Sequence, residues 1–418
     1  MRFAQDPRAV ILLRRRSDRT LGLWPFAGRC AEDPNMRWQG AVMKNKGLKS
    51  IFKLAISAAA LAIAAGGAAY AADLPLKSPP PPKPIPFFFV NDTSVSMTYF
   101  FDATDPGVAG SSGSVPGGIA GQGNTMYRAS GSIDHFDVWE YGTNLIHAEV
   151  NQYGPSDPIQ GQPGASGSRE FFGFTRSTLG FNELTHSKMF TTPFTNDIGF
   201  EGGLTAGTQN DYLTEQTTQY VVGLNFDIAI PKPLGTWLVG VLAYKEYTHN
   251  EFDACGPGGF GVASGGGNGA CIGGGAFGGD RDFEWTWRLE SFNSIPLGGI
   301  LGSWADAAHI VNILNVTGPK GTGLSTANCL AIGCAGTTGV GDAFGINETK
   351  TEVFEDARLS FDTSKLFWGK PGIWDTYVGY RYWYNKFGTN HNDWLFATNA
   401  PGTSIESTVY LGTTYHFK

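Results

Sequence analysis

Charge is scarce in this sequence: only 16% of its 418 residues are Asp, Glu, Lys or Arg, against about a quarter in ordinary globular domains. That excludes an intrinsically disordered chain, which would be charge-rich and poor in aromatics. It also excludes a coiled coil, which needs Glu, Lys and Leu. The net charge is −7 and the sequence pI about 5.5, which speaks against a nucleic-acid partner. Beyond the first 71 residues no run of 18 apolar residues occurs, so no helical membrane span is expected there. There is no GxSxG, and no zinc-type arrangement of Cys and His. What is present is glycine, 58 residues, with 13% aromatics, a composition of strands and turns.

The start of the chain falls into segments. Residues 43–71 read MKNKGLKSIFKLAISAAALAIAAGGAAYA. Lys44, Lys46, Lys49 and Lys53 form a positive region, Leu54 to Ala65 an apolar core, and Ala69-Tyr70-Ala71 a small-x-small site. The pattern predicts a secretory signal peptide cleaved after Ala71. The apolar run is too short and lacks the flank of a transmembrane anchor. Met43 stands where a signal begins, so residues 1–42 are read as an over-extended N-terminus, the alternative being a long cytoplasmic n-region. Residues 72–92 include Ser78-Pro79-Pro80-Pro81-Pro82. They are read as a proline-rich periplasmic tail, because consecutive prolines favour stiff polyproline II. Residues 1–71 hold twelve basic and four acidic residues. Of the whole chain's 30 and 37, the remaining 347 residues therefore keep 18 and 33, a net −15.

From residue 93 onward, segments of about ten residues alternate apolar with polar, the period of a transmembrane barrel strand. In Ser404 to Phe417, Ile405, Val409, Leu411, Tyr415 and Phe417 share one face, with Glu406, Thr408, Thr414 and His416 on the other. In Phe283 to Glu290, Phe283, Trp285, Trp287 and Leu289 alternate with Glu284, Thr286, Arg288 and Glu290. Twelve strands are predicted: 93–103, 132–140, 145–153, 169–181, 197–207, 216–230, 236–249, 282–295, 303–317, 350–362, 373–387 and 404–417. Apart from 182–196, long for a turn, and 208–215, short for a loop, the gaps between them alternate long and short, as in an up-and-down antiparallel β-barrel with its short turns on the periplasmic side. The expected class is therefore all-β, a transmembrane barrel over residues 93–418. It would lie in the lipid of a bacterial (Gram-negative) outer membrane.

Four cysteines fall in two long, glycine-rich loops: Cys255 and Cys271 in one, Cys329 and Cys334 in the other. Export favours disulfides. The simplest pairing joins the two cysteines of each loop, although three connectivities are open. The spacings, with no histidine in either loop, fit no zinc pattern, so neither metal nor cofactor is expected. His135 and His147, with Asp137 and Glu149, form a polar group on adjacent strands. No nucleophile in a recognisable context accompanies them, which points away from an enzyme.

Several strings occur together: His135-Phe136-Asp137-Val138-Trp139-Glu140-Tyr141-Gly142-Thr143-Asn144, then Arg176-Ser177-Thr178-Leu179-Gly180-Phe181-Asn182-Glu183, then Ala243-Tyr244-Lys245-Glu246-Tyr247. Gly318-Pro319-Lys320-Gly321-Thr322-Gly323 and Tyr380-Arg381-Tyr382-Trp383-Tyr384-Asn385-Lys386-Phe387-Gly388 complete them. Over roughly 93–418 the sequence resembles outer-envelope proteins related to the Tsx family of nucleoside-specific channels. The resemblance implies a monomeric twelve-stranded barrel whose narrow lumen, lined by aromatic and ionisable groups, passes small polar solutes such as nucleosides. The chain departs from that pattern in its longer, glycine-rich, cysteine-bearing loops.

Alternation assigns the pore-lining candidates, because Arg facing lipid at the midplane would cost ~2–4 kcal/mol. They are Arg176, Glu201, Glu284, Arg288, Glu290, Asp356, Arg358, Asp375, Arg381, Trp383 and Asn385. Each inward charge has two readings: a brace across the wall, or a step in a ladder of weak solute sites. The runner-up functions are a general non-specific porin and a non-conducting structural or adhesive barrel.

Overall fold

The computed structural model describes residues 87–106, 125–157, 159, 167–211, 215–231, 234–249, 279–323, 349–392 and 402–417. Ala71 and its signal segment, the proline run and all four loop cysteines lie outside the described residues. Within them the chain forms one closed antiparallel barrel. Its first seven strands are β1 (Phe88–Ala103), β2 (Met126–Trp139), β3 (Gly142–Tyr153), β4 (Arg169–Gly180), β5 (Thr195–Gln209), β6 (Gln216–Ile228) and β7 (Thr236–His249). A three-residue piece, β8 (Asp280–Asp282), pairs only with the end of β7. The remaining five are β9 (Thr286–Pro296), β10 (Ala308–Thr317), β11 (Glu352–Asp362), β12 (Trp374–Tyr384) and β13 (Ile405–Phe417). Each long strand pairs with its sequence neighbour, β7 pairs with β9, and β13 closes on β1. Twelve strands thus leave no open edge, the property that lets a sheet exist without partners.

The register separates two faces. Val95, Met97 and Tyr99 point outward and are exposed, whereas Ser94, Ser96 and Phe100 point inward and are buried. Their partners follow: Leu411 lies opposite Tyr99 outside, and Tyr410 opposite Phe100 inside. Ile133, Val150, Phe171 and Val241 continue the exposed outer band. Aromatic rings gather at both rims of it. Tyr99 stacks with Tyr127 at 5.9 Å toward the long-loop end, and Phe87 with Trp139 at 5.9 Å toward the short-turn end. No helix among the described residues is long and apolar enough to cross a membrane. Barrels cross with strands instead.

All twelve predicted strands are present, with shifted ends. β1 takes in 88–92, which the sequence reading gave to the tail. The unbroken Phe87 to Val90 run hid the strand, yet Asn91 and Asp92 pair with Asp137 and Phe136. Residues 303–307, read as strand, instead hold a 3-10 turn at Ser303–Ala305 before β10 begins at Ala308.

The short turns are built locally. After β11, Asp362 Oδ1 accepts hydrogen bonds from the Lys365 amide at 2.7 Å and the Ser364 hydroxyl at 2.7 Å. This caps a helix, α1 (Thr363–Trp368). Gly369 then takes φ 64° to close it, a left-handed position that glycine enters without penalty. The stretch Gly369-Lys370-Pro371-Gly372, in the predicted gap between strands 350–362 and 373–387, is this helix stop.

The predicted alternation over Phe283 to Glu290 fails at its start. Trp285, Trp287 and Leu289 are exposed as expected, but Phe283 is buried at 2%. Tyr247 pairs with Asp282 and Tyr244 with Thr286. Two residues of β7 therefore oppose three of the other strand. The extra residue makes a bulge, and a bulge re-aims side chains. Phe283 turns inward beneath the Lys320 ammonium, 4.6 Å from its ring centre.

Candidate functional site

Most of the predicted lining residues lie on the inner face, and they group at two levels. Near mid-barrel, Arg176 on β4 donates through Nε and an Nη to both oxygens of Glu290 on β9, at 3.0 and 2.9 Å. Arg288 joins the same carboxylate at 2.9 Å. Glu201 on β5 is buried and accepts from the Asn225 amide at 2.7 Å. Gly203 makes room for this group: a Cβ there would stand 2.7 Å from an Arg176 guanidinium nitrogen.

Nearer the long-loop end, Arg381 on β12 donates to Asp356 on β11 at 2.8 Å. The Tyr410 hydroxyl donates to the other oxygen of Asp356. The Arg381 guanidinium lies 4.6 Å from the Phe100 ring centre and 5.2 Å from that of Phe354, a cation–π arrangement. Arg358 sits 5.1 Å from the Tyr377 ring centre. The Trp383 indole donates to Glu352 at 2.7 Å. At the opposite, short-turn end Asp375 approaches His416 at 3.5 Å, and His416 also meets Asp92 at 2.8 Å.

Two predicted residues are not wall residues. Glu284 lies in the bulge before β9 and is exposed. Asn385 lies just past the end of β12 in a left-handed turn at φ 51°. Its amide donates to the Thr351 carbonyl at 2.9 Å, which anchors that turn. Period-two alternation was extended through both positions, where the chain leaves the sheet.

The two histidine–acid pairs also separate. His147 faces inward between Asp134 at 2.6 Å and Glu149 at 3.6 Å. The side chains of His135 and Asp137 lie on the opposite face of β2, next to the β2–β3 turn, where Asp137 accepts from Asn144 at 2.8 Å. The two groups are not one site.

A denser cluster, which alternation alone did not single out, fills the long-loop end. Glu406 is fully buried and receives Arg128 at 3.2 Å and Lys386 at 2.9 Å. Arg128 lies 4.1 Å from the Phe100 ring centre. Beside them Lys320, 1% exposed, donates to Glu246 at 2.7 Å and to the Phe387 carbonyl at 3.0 Å. Burying such charges is tolerable only when each is paired and hydrogen-bonded. Arg128 and Lys320 fell in predicted gaps, and Lys386 fell in the predicted strand 373–387, whereas β12 ends at Tyr384 and leaves it beyond the sheet. The strings around Lys320, Glu246 and Lys386 to Phe387 are distant in sequence but meet here.

Just outside the strands the electrostatics turn acidic. Burial pushes the Asp105 carboxyl up to about 6, against the nearby Lys386. Burial, then Asp211, holds Asp157 well above the usual carboxylate range.

No protein-family model matches the chain, and no curated protein is similar to it in sequence. Solved structures similar in shape include the KdgM porin, at 9% identity over 78% of this chain and 99% of that one, TM-score 0.30. Another is the translocator domain of the autotransporter NalP from Neisseria meningitidis, at 9% identity over 88% and 96%, TM-score 0.33. A third is the outer membrane protein OprD from Pseudomonas aeruginosa, at 8% identity over 78% and 93%, TM-score 0.24. At such scores the barrel rests on its own strand pairing, and these likenesses carry no functional argument.

Proposed function

We propose that this protein is a diffusion channel of the bacterial outer membrane, narrow enough to prefer among small polar solutes. The observation that carries the reading is the contrast of the two faces. Outside, an exposed apolar band runs between two aromatic rims, the surface that lipid requires and water penalises. Inside, guanidinium and carboxylate groups alternate with aromatic rings at two levels, a lining suited to polar solutes that carry a ring. Nucleosides are the first candidates, since a base offers a π-face and a ribose offers hydroxyls to carboxylates. The strings that resemble the Tsx-related proteins favour the same choice. The protein would be exported by its signal peptide, work as a monomer in outer-membrane lipid, and need neither cofactor nor nucleic acid. It carries no catalytic role in this reading.

A wide general porin is disfavoured by Arg176 reaching Glu290 across the interior. The non-conducting barrel has one observation on its side: Glu406, Lys386, Lys320, Glu246 and Tyr244 are all 2% exposed or less, so these side chains are packed out of water. In the channel reading this layer is what a passing solute must displace. Planar-bilayer conductance of the purified protein decides. Conductance that falls on adding a nucleoside, but not a sugar or amino acid, supports the preferred reading. Conductance indifferent to all of them supports the general porin, and none at all the structural barrel.

A further inference from the structure

Three loop roots converge at the long-loop end. Asp105 follows β1, Asp157 follows β3 and Asp211 follows β5. Their residues are 2%, 1% and 1% exposed, and one carboxylate oxygen from each lies within 4.8 Å of the others. A bridge between Ile159 and Asp211 holds two of the roots together.

Asp105 and Asp157 accept hydrogen bonds from neutral donors. The Gln209 amide gives one hydrogen bond to each, at 2.8 and 2.9 Å, and the Ser168 hydroxyl gives one to Asp157. Lys386, a cation that acts on Asp105, is itself bonded to the Thr104 carbonyl at 2.5 Å and to Glu406 at 2.9 Å. All the bonds to Asp157 fall on its Oδ2. Its Oδ1, on a side chain shut off from solvent, has no hydrogen-bond partner. Glu215, a carboxylate outside the trio, repels Asp105 and Asp211 from the start of β6. Its Oε1 is likewise buried without a partner.

Carboxylates crowded out of water need a counter-charge or protons. Here the available ligand atoms are all oxygen, the preference of hard cations. Two oxygens bound to one Ca2+ at about 2.4 Å stand at most about 4.8 Å apart. Mg2+ demands near-ideal octahedral geometry and gives up its waters reluctantly, whereas Ca2+ accepts a cage of protein oxygens.

We propose that Asp105, Asp157 and Asp211 hold a calcium ion. The ion ties the roots of three successive long loops on one side of the barrel mouth. In the proposed orientation this site faces the external medium, where a Kd of about 10⁻⁴ to 10⁻³ M is that of other extracellular calcium modules. Binding is read here as heat and melting temperature, so the proposal stands or falls independently of what the barrel conducts.

Calorimetric titration of CaCl2 into the full-length protein in detergent, first stripped with EGTA, tests the proposal. One saturable Ca2+ per chain is expected, with MgCl2 at least tenfold weaker and a melting temperature that rises with Ca2+. Asp157→Asn should lower Ca2+ affinity at least tenfold. Asp306→Asn, in a turn at the opposite end, should leave it unaltered. The wild-type titration stands alone if Asp157→Asn does not fold. No binding heat and no melting shift at millimolar CaCl2 would overturn the proposal and leave shared protons as what keeps the carboxylates together.

Discussion

Arg176 and Glu290 form a two-pronged bond, at 3.0 and 2.9 Å, although four strand pairings separate β4 from β9 around the wall. Neighbouring strands brace each other through backbone hydrogen bonds. A side-chain pair between strands so far apart is a chord, and a chord narrows the space it crosses. The planar guanidinium fits such a fork, whereas a lysine would offer only a point charge.

That chord gives the first prediction. Glu290→Gln keeps the side chain's shape and removes its charge. Arg176 and Arg288 then face the lumen without their carboxylate. Reversal potentials in a salt gradient should shift toward anions. Arg176→Ala removes the chord itself, so single-channel conductance should rise. If neither variant differs from wild type, the pair lies off the conduction path.

Arg381 gives the second. Its guanidinium is spent on Asp356 and on the faces of Phe100 and Phe354. Breaking one side of a buried pair typically costs ~3–5 kcal/mol, but Asp356 keeps the Tyr410 hydroxyl as a donor. Arg381→Ala should therefore still assemble, and should shift selectivity toward cations. Trp383→Phe keeps an inward ring and loses the hydrogen bond to Glu352. It should alter nucleoside block while leaving ion selectivity in place. Failed assembly of Arg381→Ala, with unaltered selectivity in what remains, would make the residue a wall brace.

The strands were legible because outward positions must be apolar and inward ones polar, and a period of two carries that demand directly. Strand β13 shows it: Val409, Leu411, Tyr415 and Phe417 are exposed on the outer face, while Glu406, Thr408 and Thr414 are buried on the inner. Alternation says nothing where the chain leaves the sheet. It misplaced Phe283 because a one-residue bulge inverts the pattern, and Asn385 because a left-handed turn ends β12. It was also silent on Phe100, Tyr377 and Tyr410. An aromatic residue facing inward has the same letter as one facing lipid, and only the register tells them apart. Lys320 and Lys386 reach their partners from beyond strand ends, across contacts that no local period encodes.

Orientation gives the third prediction. Lys188 is exposed in the turn after β4, and Asn392 is exposed beyond β12 at the opposite end. Single cysteines at the two positions, in a background without the native ones, should react differently with a membrane-impermeant maleimide on intact cells. Asn392→Cys should label and Lys188→Cys should not, with both labelling after lysis. The reverse pattern would put the short turns outside and remove the external site argued for the acidic cluster.

The last prediction concerns two glycines. Gly379 on β12 pairs with Tyr410 on β13, and Gly412 on β13 pairs with Tyr377 on β12. Each tyrosine ring lies flat over the glycine opposite. A Cβ on Gly379 would meet the Tyr410 ring at 2.1 Å, and one on Gly412 the Tyr377 ring at 2.2 Å. Separations so short force the ring off the wall, toward the lumen. The backbone at Gly412 needs no special φ, so alanine there strains nothing but the ring. Gly412→Ala should break the 2.7 Å bond between the Tyr377 hydroxyl and Thr98 and swing the ring inward, so single-channel conductance should fall. Gly412→Ala combined with Tyr377→Ala removes the displaced ring, and conductance should return to the wild-type level or above it. If Gly412→Ala conducts like wild type, the ring has found room along the wall and the lumen at this level is wider than a tyrosine.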